Sequence, residues 1–344
     1  MYIHLQDIFK VWGSGIVTSC DGLVIDFEES VLLGRLKGFA FSSEDAARRN
    51  YRVGGDTRDW KLQEAQLSLQ GYLLSPRYVR DIHYRPFDIR RIYYTPNDSG
   101  LLSMPRHATM RHMCGSFQNI GLVATRDGKA QAGLNVLVSE AITELKLFRY
   151  ACGAVLFPVY RISEEGVVEN ITPKCRTLLD QHYGVAYSAL DILHYLYAFL
   201  SIRSTVDAQN RDFPVVFFVK DRKVFEEIAK VGAYLVNLHR TLSAIRNDEV
   251  HEDWQAGDDT VQCVAYLDGR VYINGSQYFK CASKSIFLFK IGGYCVVQHY
   301  LEARKGRVLS AYEISHMYSV IDAISKTLDV LISLETRLGK YFKI

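Results

Sequence analysis

The sequence predicts an α+β fold: a strand-rich amino-terminal subdomain with an irregular mixed sheet, followed by a mainly helical subdomain with a β-hairpin and a long carboxy-terminal helix. Before about residue 165, short apolar segments separated by turn residues dominate, which is typical of strands. After it, apolar residues recur at spacings of three and four, which is typical of amphipathic helices. Because 344 residues exceed the usual size of one core, we expect two subdomains, 1–165 and 166–344.

The first half is predicted to combine short strands with two helices. The segment GIVTSCDGLVIDF, residues 15–27, has the turn residues of a β-hairpin centred on Cys20-Asp21-Gly22. Apolar periodicity predicts helices at about 29–36 and 59–74. Runs rich in β-branched and aromatic residues predict strands at about 78–83, 89–94, 120–124, 135–138 and 153–160.

The second half carries clear signals for the starts of helices and for one hairpin. Thr172 precedes Pro173, and a proline in the first turn of a helix sacrifices no hydrogen bond. Further helices are expected at about 188–201 and 221–245. The segment VQCVAYLDGRVYIN alternates around Asp268-Gly269 and predicts a β-hairpin. Ser310 and Glu313 have the spacing of a capping box, and the apolar stripe after them predicts a long last helix.

An arginine-rich segment stands out against a nearly neutral chain. The formal net charge of the whole chain is +3, whereas residues 77–112 hold seven arginines against three acids and no lysine. The planar fork of an arginine suits phosphate oxygens and the O6/N7 edge of guanine. The same guanidiniums would equally serve the fold by pairing with Asp88 or stacking on Tyr93 and Tyr94. The residues alone leave both interpretations open.

Several classes of protein are disfavoured by what the sequence lacks. It has no phosphate-binding G-x-x-x-x-G-K-[ST] loop, no H-E-x-x-H helix, no G-x-S-x-G turn and no glycine-rich dinucleotide-binding turn. Its seven cysteines include no C-x-x-C pair, which favours reduced thiols and a cytoplasmic location. The amino terminus does not resemble a signal peptide, and the most apolar helix, at 185–202, contains Asp191 and His194. We therefore expect no membrane span.

Two other constellations suggest chemistry of their own. His107, His112 and Cys114 are potential zinc ligands, but structural zinc needs four ligands and their spacing matches no ordinary pairing, so no metal site is expected. Asp127, with Glu144 and Lys146, has the acid and E-x-K arrangement of some magnesium-dependent nucleases. This triple provides an alternative function. A non-DNA-binding scaffold subunit, docked through its last helix, is another.

The order of several segments resembles the carboxy-terminal specificity region of single-polypeptide type I (type ISP) restriction–modification enzymes, and more loosely the recognition domains of type IIG enzymes. The likeness covers nearly the whole chain, and the combination of segments is what makes it specific. The segments are GIVTSCD (15–21), YRPFDIRRIYY (84–94), MPRHATMRHM (104–113), NIGLVATR (119–126), VSEAITE (138–144), ENITPKCRTLL (169–179), ALDILHYLYAFL (189–200), RDFPVVFF (211–218), INGSQYF (273–279) and IGGYCVVQHYLEARKGRVLS (291–310).

This resemblance implies a target-recognition domain. Such a domain binds double-stranded DNA and reads its sequence for an adenine-N6 methyltransferase, a helicase and a nuclease, located in cis or in trans. The N-P-P-Y motif and the glycine motif of those methyltransferases are missing, so no catalytic residue or cofactor is expected in this chain. S-adenosylmethionine, ATP and magnesium are expected in the complete enzyme. Met1 would then begin a separate specificity subunit or an excised fragment.

The sequence departs from the family pattern in two places, and both put local DNA contacts in doubt. The stretch from Ser201 to Asn210 is several residues shorter than usual, and Cys20 stands where a basic residue is common.

The resemblance also nominates individual residues. The DNA-binding candidates lie in the shared motifs, with phosphate-contacting or structural roles for their arginines: Arg85, Arg90, Arg106, Arg111, His112, Asn119, Arg126, Arg304, Lys305 and Arg307. For the last three of these a solvated turn is the alternative. Because residues shared by enzymes with different targets cannot distinguish those targets, the base-reading candidates are polar residues at variable positions: Asn97, Ser99, Gln118, Lys129 and Gln131.

Overall fold

The fold was analysed in a computed structural model that describes residues 1–72, 74–96, 100–126, 133–148, 153–202, 213–244 and 251–342. The predicted α+β class is confirmed. The helices are α1 Leu5–Ile8, α2 Asp21–Val24, α3 Glu29–Ala40, α4 Glu44–Tyr51, α5 Leu62–Gly71, α6 His107–Met110, α7 Pro173–Tyr183, α8 Ala189–Ser201, α9 Arg222–Ala244, α10 Lys284–Phe287, α11 Val296–Glu302 and α12 Ala311–Phe342, with 3-10 turns at Pro76–Tyr78 and Arg111–Met113.

The strands are short, as the sequence predicts. They are β1 Tyr2–His4, β2 Gly13–Ser14, β3 Ile25–Asp26, β4 Val79–Arg85, β5 Asp88–Tyr93, β6 Gly121–Thr125, β7 Val136–Ser139, β8 Ile142–Thr143, β9 Ala154–Pro158, β10 Tyr160–Ser163, β11 Gly166–Glu169, β12 Val215–Phe217, β13 Ala265–Leu267, β14 Arg270–Tyr272, β15 Tyr278–Lys280, β16 Lys290–Ile291 and β17 Tyr294–Cys295.

The chain forms two compact units, and neither is continuous in sequence. The strand-rich unit comprises residues 11–123 and 139–170, and the helix-rich unit comprises residues 1–10, 124–138 and 171–344. The chain crosses between them within β6 and β7. The boundary after residue 165 stays a prediction.

The strand-rich unit has its core on a mixed sheet in the order β3-β5-β4-β8. Strands β4 and β5 form an antiparallel hairpin, whereas β4 and β8 run parallel with Ile82 opposite Ile142. A second sheet contains β2, β9 and β6 as neighbours. Every residue of β9 is buried, and each large apolar side chain taken out of water contributes about 1.5–3 kcal/mol.

The β-hairpin expected at residues 15–27 is wrong. Residues 21–24 form the one-turn helix α2, with Leu23 N–H donating to the carbonyl of Cys20. Val17 instead pairs with Met104, far away in the sequence. Pairing with a distant segment has therefore overridden the local turn signal. Tertiary contacts commonly override local β-propensity in this way.

The helix-rich unit confirms the predicted helix starts and hairpin. The Thr172 hydroxyl accepts a hydrogen bond from Cys175 N–H at the start of α7, with Pro173 in the first turn. Asp268 and Gly269, at φ 45° and 75°, make the turn between β13 and β14. The capping box of α12 is present, because Glu313 N–H donates to Ser310 Oγ and Ser310 N–H donates to Glu313 Oε2.

Helices α8 and α9 pack against each other at very short range. A Cβ atom placed on Gly232 would lie 1.8 Å from the carbonyl oxygen of His194. Only glycine lets the two backbones approach this closely. In the part of the chain that the structure describes, no helix combines the length and the apolar character needed to span a membrane.

Candidate nucleic-acid interface

Two candidate arginines of the strand-rich unit lie inside an ionic cluster. Arg85 is only 7% exposed, and its guanidinium lies 2.6 Å from the carboxylate of Glu144. Arg90 lies 2.7 Å from the carboxylate of Asp88. Both guanidiniums also stack on the ring of Tyr84, at 3.8 and 4.2 Å from its centroid. Arg85 therefore ties β4 to the segment after β8, and Arg90 pairs within β5 and stacks on β4, which is the structural interpretation.

Two further candidates, on the segment 104–113, are exposed to solvent. Arg106 adopts a left-handed backbone conformation, with φ 53°, immediately before α6. Its guanidinium contacts the sulfur of Met104 at 3.0 Å. Arg111 lies one helical turn further along and is exposed. Neither arginine forms an ion pair with any residue that the structure describes, so both guanidiniums retain their capacity for an external anion.

His112, next to Arg111, is buried and bonds to the backbone of β10. Its Nδ1 atom accepts a hydrogen bond from Ile162 N–H at 3.0 Å, so its proton lies on Nε2. Burial, together with a smaller effect of the nearby cations Arg111 and Arg161, lowers the pKa of His112 to about 4. The buried Nε2 atom has no hydrogen-bond partner within the described ranges.

Asn119 is also buried, at 3% exposure, and makes four hydrogen bonds with the backbone. Its amide group donates to the carbonyls of His112 and Tyr160, and its oxygen accepts from Ile120 N–H and Tyr160 N–H. These bonds use the full hydrogen-bonding capacity of the side chain, two donors and two lone pairs. Asn119 therefore positions the strand that begins at Tyr160 and does not face solvent.

Arg161, on β10, was missed by the sequence analysis. With Arg111 and residues 162–165 it lines an open cavity of about 640 Å³. Its Nε atom is buried and has no partner among the described residues. The available sequence signal was weak, since Arg161 is a single basic residue just after the strand predicted at 153–160 and outside the arginine-rich segment.

The candidates of the helix-rich unit also divide into buried, paired residues and exposed ones. Arg304 is 2% exposed and lies 2.8 Å from Glu313, which Arg307 also contacts at 3.0 Å. Burial opposes the ionisation of Glu313, but the two guanidiniums and Ser310 N–H outweigh it and hold the pKa of this carboxyl below its usual range. Lys305 is exposed. Arg126 is exposed and lies 5.4 Å from the ring centroid of Phe213.

Of the base-reading candidates, Gln118 is described and is exposed. The others, Asn97, Ser99, Lys129 and Gln131, lie outside the described residues, as does Asp127. Glu144, the second carboxylate of the alternative nuclease site, accepts hydrogen bonds from Arg85 and from Lys146 N–H. The described His, Cys, Asp and Glu side chains form no cluster suited to a metal ion.

Comparison with protein families decides the relationship. The family model of the Type ISP C-terminal specificity domain matches residues 7–331. The chain belongs to this family. No curated protein matches this specificity domain.

Three solved structures share the fold of this specificity domain. They are a cryoEM structure of a DrdV–DNA complex (TM-score 0.68, 21% identity, 94% of this chain and 36% of that chain), the ATP-dependent Type ISP restriction-modification enzyme LlaBIII bound to DNA (0.69, 15%, 95% and 24%), and a nuclease-deletion mutant of the Type ISP restriction-modification enzyme LlaGI in complex with a DNA substrate mimic (0.62, 16%, 96% and 28%). The specificity domain therefore spans about a quarter to a third of those chains.

Proposed function

We propose that this specificity domain recognises a target sequence in double-stranded DNA for a restriction–modification enzyme. The observation that carries the proposal is the family match over residues 7–331. The DNA-bound structures that share its fold over at least 94% of the chain support it. The domain would act with a methyltransferase, a helicase and a nuclease in cis or in trans.

The division of the arginines supports a DNA-contacting role for one exposed surface. Arg85 and Arg90 are already paired with carboxylates, so a phosphate would have to compete with a partner that is in place. Arg106 and Arg111 are exposed and would gain a partner on binding. Phosphate contacts of this kind fix the register of a protein on DNA, while other side chains supply the sequence information.

The proposal is tested by measuring duplex binding as a function of salt. Each phosphate neutralised contributes a slope of about −0.9 in log affinity against log salt. We expect Arg106→Gln and Arg111→Gln to weaken binding to all duplexes alike and to make this slope shallower. Arg58→Gln is the control, because Arg58 is exposed but already pairs with Asp59. Binding by the unaltered protein that does not change with salt would refute the proposal.

The reaction that the domain serves is proposed to be adenine-N6 methylation. S-adenosylmethionine, ATP and magnesium would then bind to other segments of the enzyme, and the location would be the cytoplasm, where the DNA is. Mapping methylated bases in host DNA tests this directly. Modified adenine within one recurring sequence is the expected result, and modified cytosine in its place would contradict it.

A further inference from the structure

The hairpin formed by β10 and β11 is a separate two-stranded ribbon within the strand-rich unit. Its two strands pair with each other, Tyr160 opposite Glu169 and Ser163 opposite Gly166, and they form a two-stranded sheet of their own. Glu164 and Glu165 are exposed at its tip, where Ser163 Oγ donates to the Gly166 carbonyl at 3.1 Å. A two-stranded ribbon has dimensions that the major groove of DNA admits.

Buried side chains hold the base of this ribbon in place. His112 accepts from Ile162 N–H, and Asn119 bonds to both the N–H and the carbonyl of Tyr160. Asn170, at the end of β11, is fully buried and donates to the carbonyl of Pro158 at 2.7 Å. The first strand of the ribbon is therefore held in place before any ligand arrives, as a binding element requires.

The charges around the tip are left unneutralised. Arg111, Arg161, Glu164 and Glu165 line the same cavity of about 640 Å³. Within the described ranges none of these four side chains forms an ion pair. The buried Nε2 atom of His112 and Nε atom of Arg161 also lack hydrogen-bond partners. The cavity is thus lined by two guanidinium groups and two carboxylates that form no ion pair among the described residues.

A nucleotide of duplex DNA matches this combination of charges. Its phosphate is an anion that guanidinium groups can bind. Its base presents donors and acceptors along the edge that faces the major groove. A carboxylate is repelled by phosphate but accepts hydrogen bonds from an amino group such as cytosine N4. Ionised carboxylates can only accept, so they select bases that present an amino group and reject bases that present a carbonyl.

We propose that the β10–β11 hairpin determines part of the target sequence. Arg111 and Arg161 hold phosphate oxygens, and Glu164 and Glu165 accept hydrogen bonds from the exocyclic amino group of cytosine or adenine in the major groove. His112 is a positioning residue that fixes the first strand of the hairpin. This inference rests on the proposed function and adds residues that the sequence analysis did not nominate as base readers.

The experiment selects bound duplexes from a randomised library with the full chain. The unaltered protein is compared with Glu164→Gln, Glu165→Gln and the double variant. We expect the unaltered protein to enrich one motif and the double variant to change its preference by about 5- to 100-fold at one position, towards adenine where the original base is cytosine. Arg161→Gln should weaken binding to every sequence and leave the motif unchanged.

The controls distinguish a failure of this inference from a failure of the proposed function. Glu29→Gln removes an exposed acid elsewhere on the strand-rich unit and should alter nothing. Glu29, Glu164 and Glu165 are exposed. Unchanged thermal unfolding would show that their glutamine variants fold. If the unaltered protein and the double variant enrich the same motif, the hairpin does not read bases and only this inference fails. If the unaltered protein enriches no motif, the proposed function itself fails.

Discussion

The guanidinium of Arg85 and the carboxylate of Glu144 form an ion pair at 2.6 Å, with only 9% and 3% of the two side chains exposed. Glu144 also accepts a hydrogen bond from Lys146 N–H at 2.7 Å. The pair joins β4 to the segment after β8. Its two residues are 59 positions apart in the sequence. An arginine nominated for DNA contact thus serves the architecture here.

Arg85→Met is expected to lower the free energy of unfolding by about 3–5 kcal/mol, because it leaves the Glu144 carboxylate buried without its partner. The double variant Arg85→Met, Glu144→Leu should recover much of that loss, since no buried charge remains. Urea unfolding measures both. A loss below about 1 kcal/mol in the single variant would indicate a solvated pair.

Gly232→Ala is expected to destabilise the helix-rich unit by more than about 3 kcal/mol, because its Cβ would meet the backbone of α8, which cannot rotate away. Gly34→Ala in α3 is the matched control. A Cβ there meets nothing within 4 Å, so alanine should stabilise by about 0.5–1 kcal/mol. Thermal unfolding of both variants gives the comparison, and equal effects would contradict the close approach of α8 and α9.

The stability of the protein should fall as the pH is lowered from about 6.5 towards 4. Burial lowers the pKa of His83 and His112 to about 4 and that of His239 to about 3. Below the unfolded pKa of about 6.5 the unfolded chain binds more protons than the folded one, so each histidine costs up to about 1.4 kcal/mol per pH unit. Chemical unfolding at pH 7, 6 and 5 tests the slope. His112→Gln should make it shallower, and an unchanged slope would mean that His112 is solvated.

Arg304 and Lys305 are neighbours in sequence with opposite environments, and their variants should separate stability from binding. Arg304→Gln leaves Glu313 with a weakened set of partners and should cost about 3–5 kcal/mol in unfolding free energy. Lys305→Gln should leave stability within about 0.5 kcal/mol. If Lys305 contacts a phosphate, its loss reduces the salt dependence of DNA binding by about one unit. A large stability loss in the lysine variant would contradict its exposure.

Local signals in the sequence predicted much of the fold, and distant partners decided the remainder. The helix start at Thr172-Pro173, the capping box of α12 and the turn at Asp268-Gly269 were confirmed because each depends on residues a few positions apart. The hairpin at 15–27 was wrong because Val17 pairs with Met104. No local pattern distinguishes a strand that pairs with its neighbour from one that pairs across the fold.

The candidate site shows the same limit. The arginine-rich segment gives no local signal that separates its arginines by role. Arg85 and Arg90 are nevertheless paired with carboxylates, whereas Arg106 and Arg111 are exposed. The difference depends on carboxylates such as Glu144, which only the folded chain brings near. Arg161 reaches the surface beside Arg111 through the pairing of β10, which the sequence did not predict.

The attachment of the β10–β11 ribbon has a consequence for how such domains diversify. Its anchoring groups, Asn119, His112 and Asn170, bond to residues 158–162, whereas Glu164 and Glu165 face solvent. Substitution of these two glutamates therefore leaves the folding free energy nearly unchanged, while Gly166, at φ 103°, keeps the turn. Exchange of the two tip residues between relatives would change the recognised sequence without changing the scaffold, whether by natural drift or by laboratory grafting.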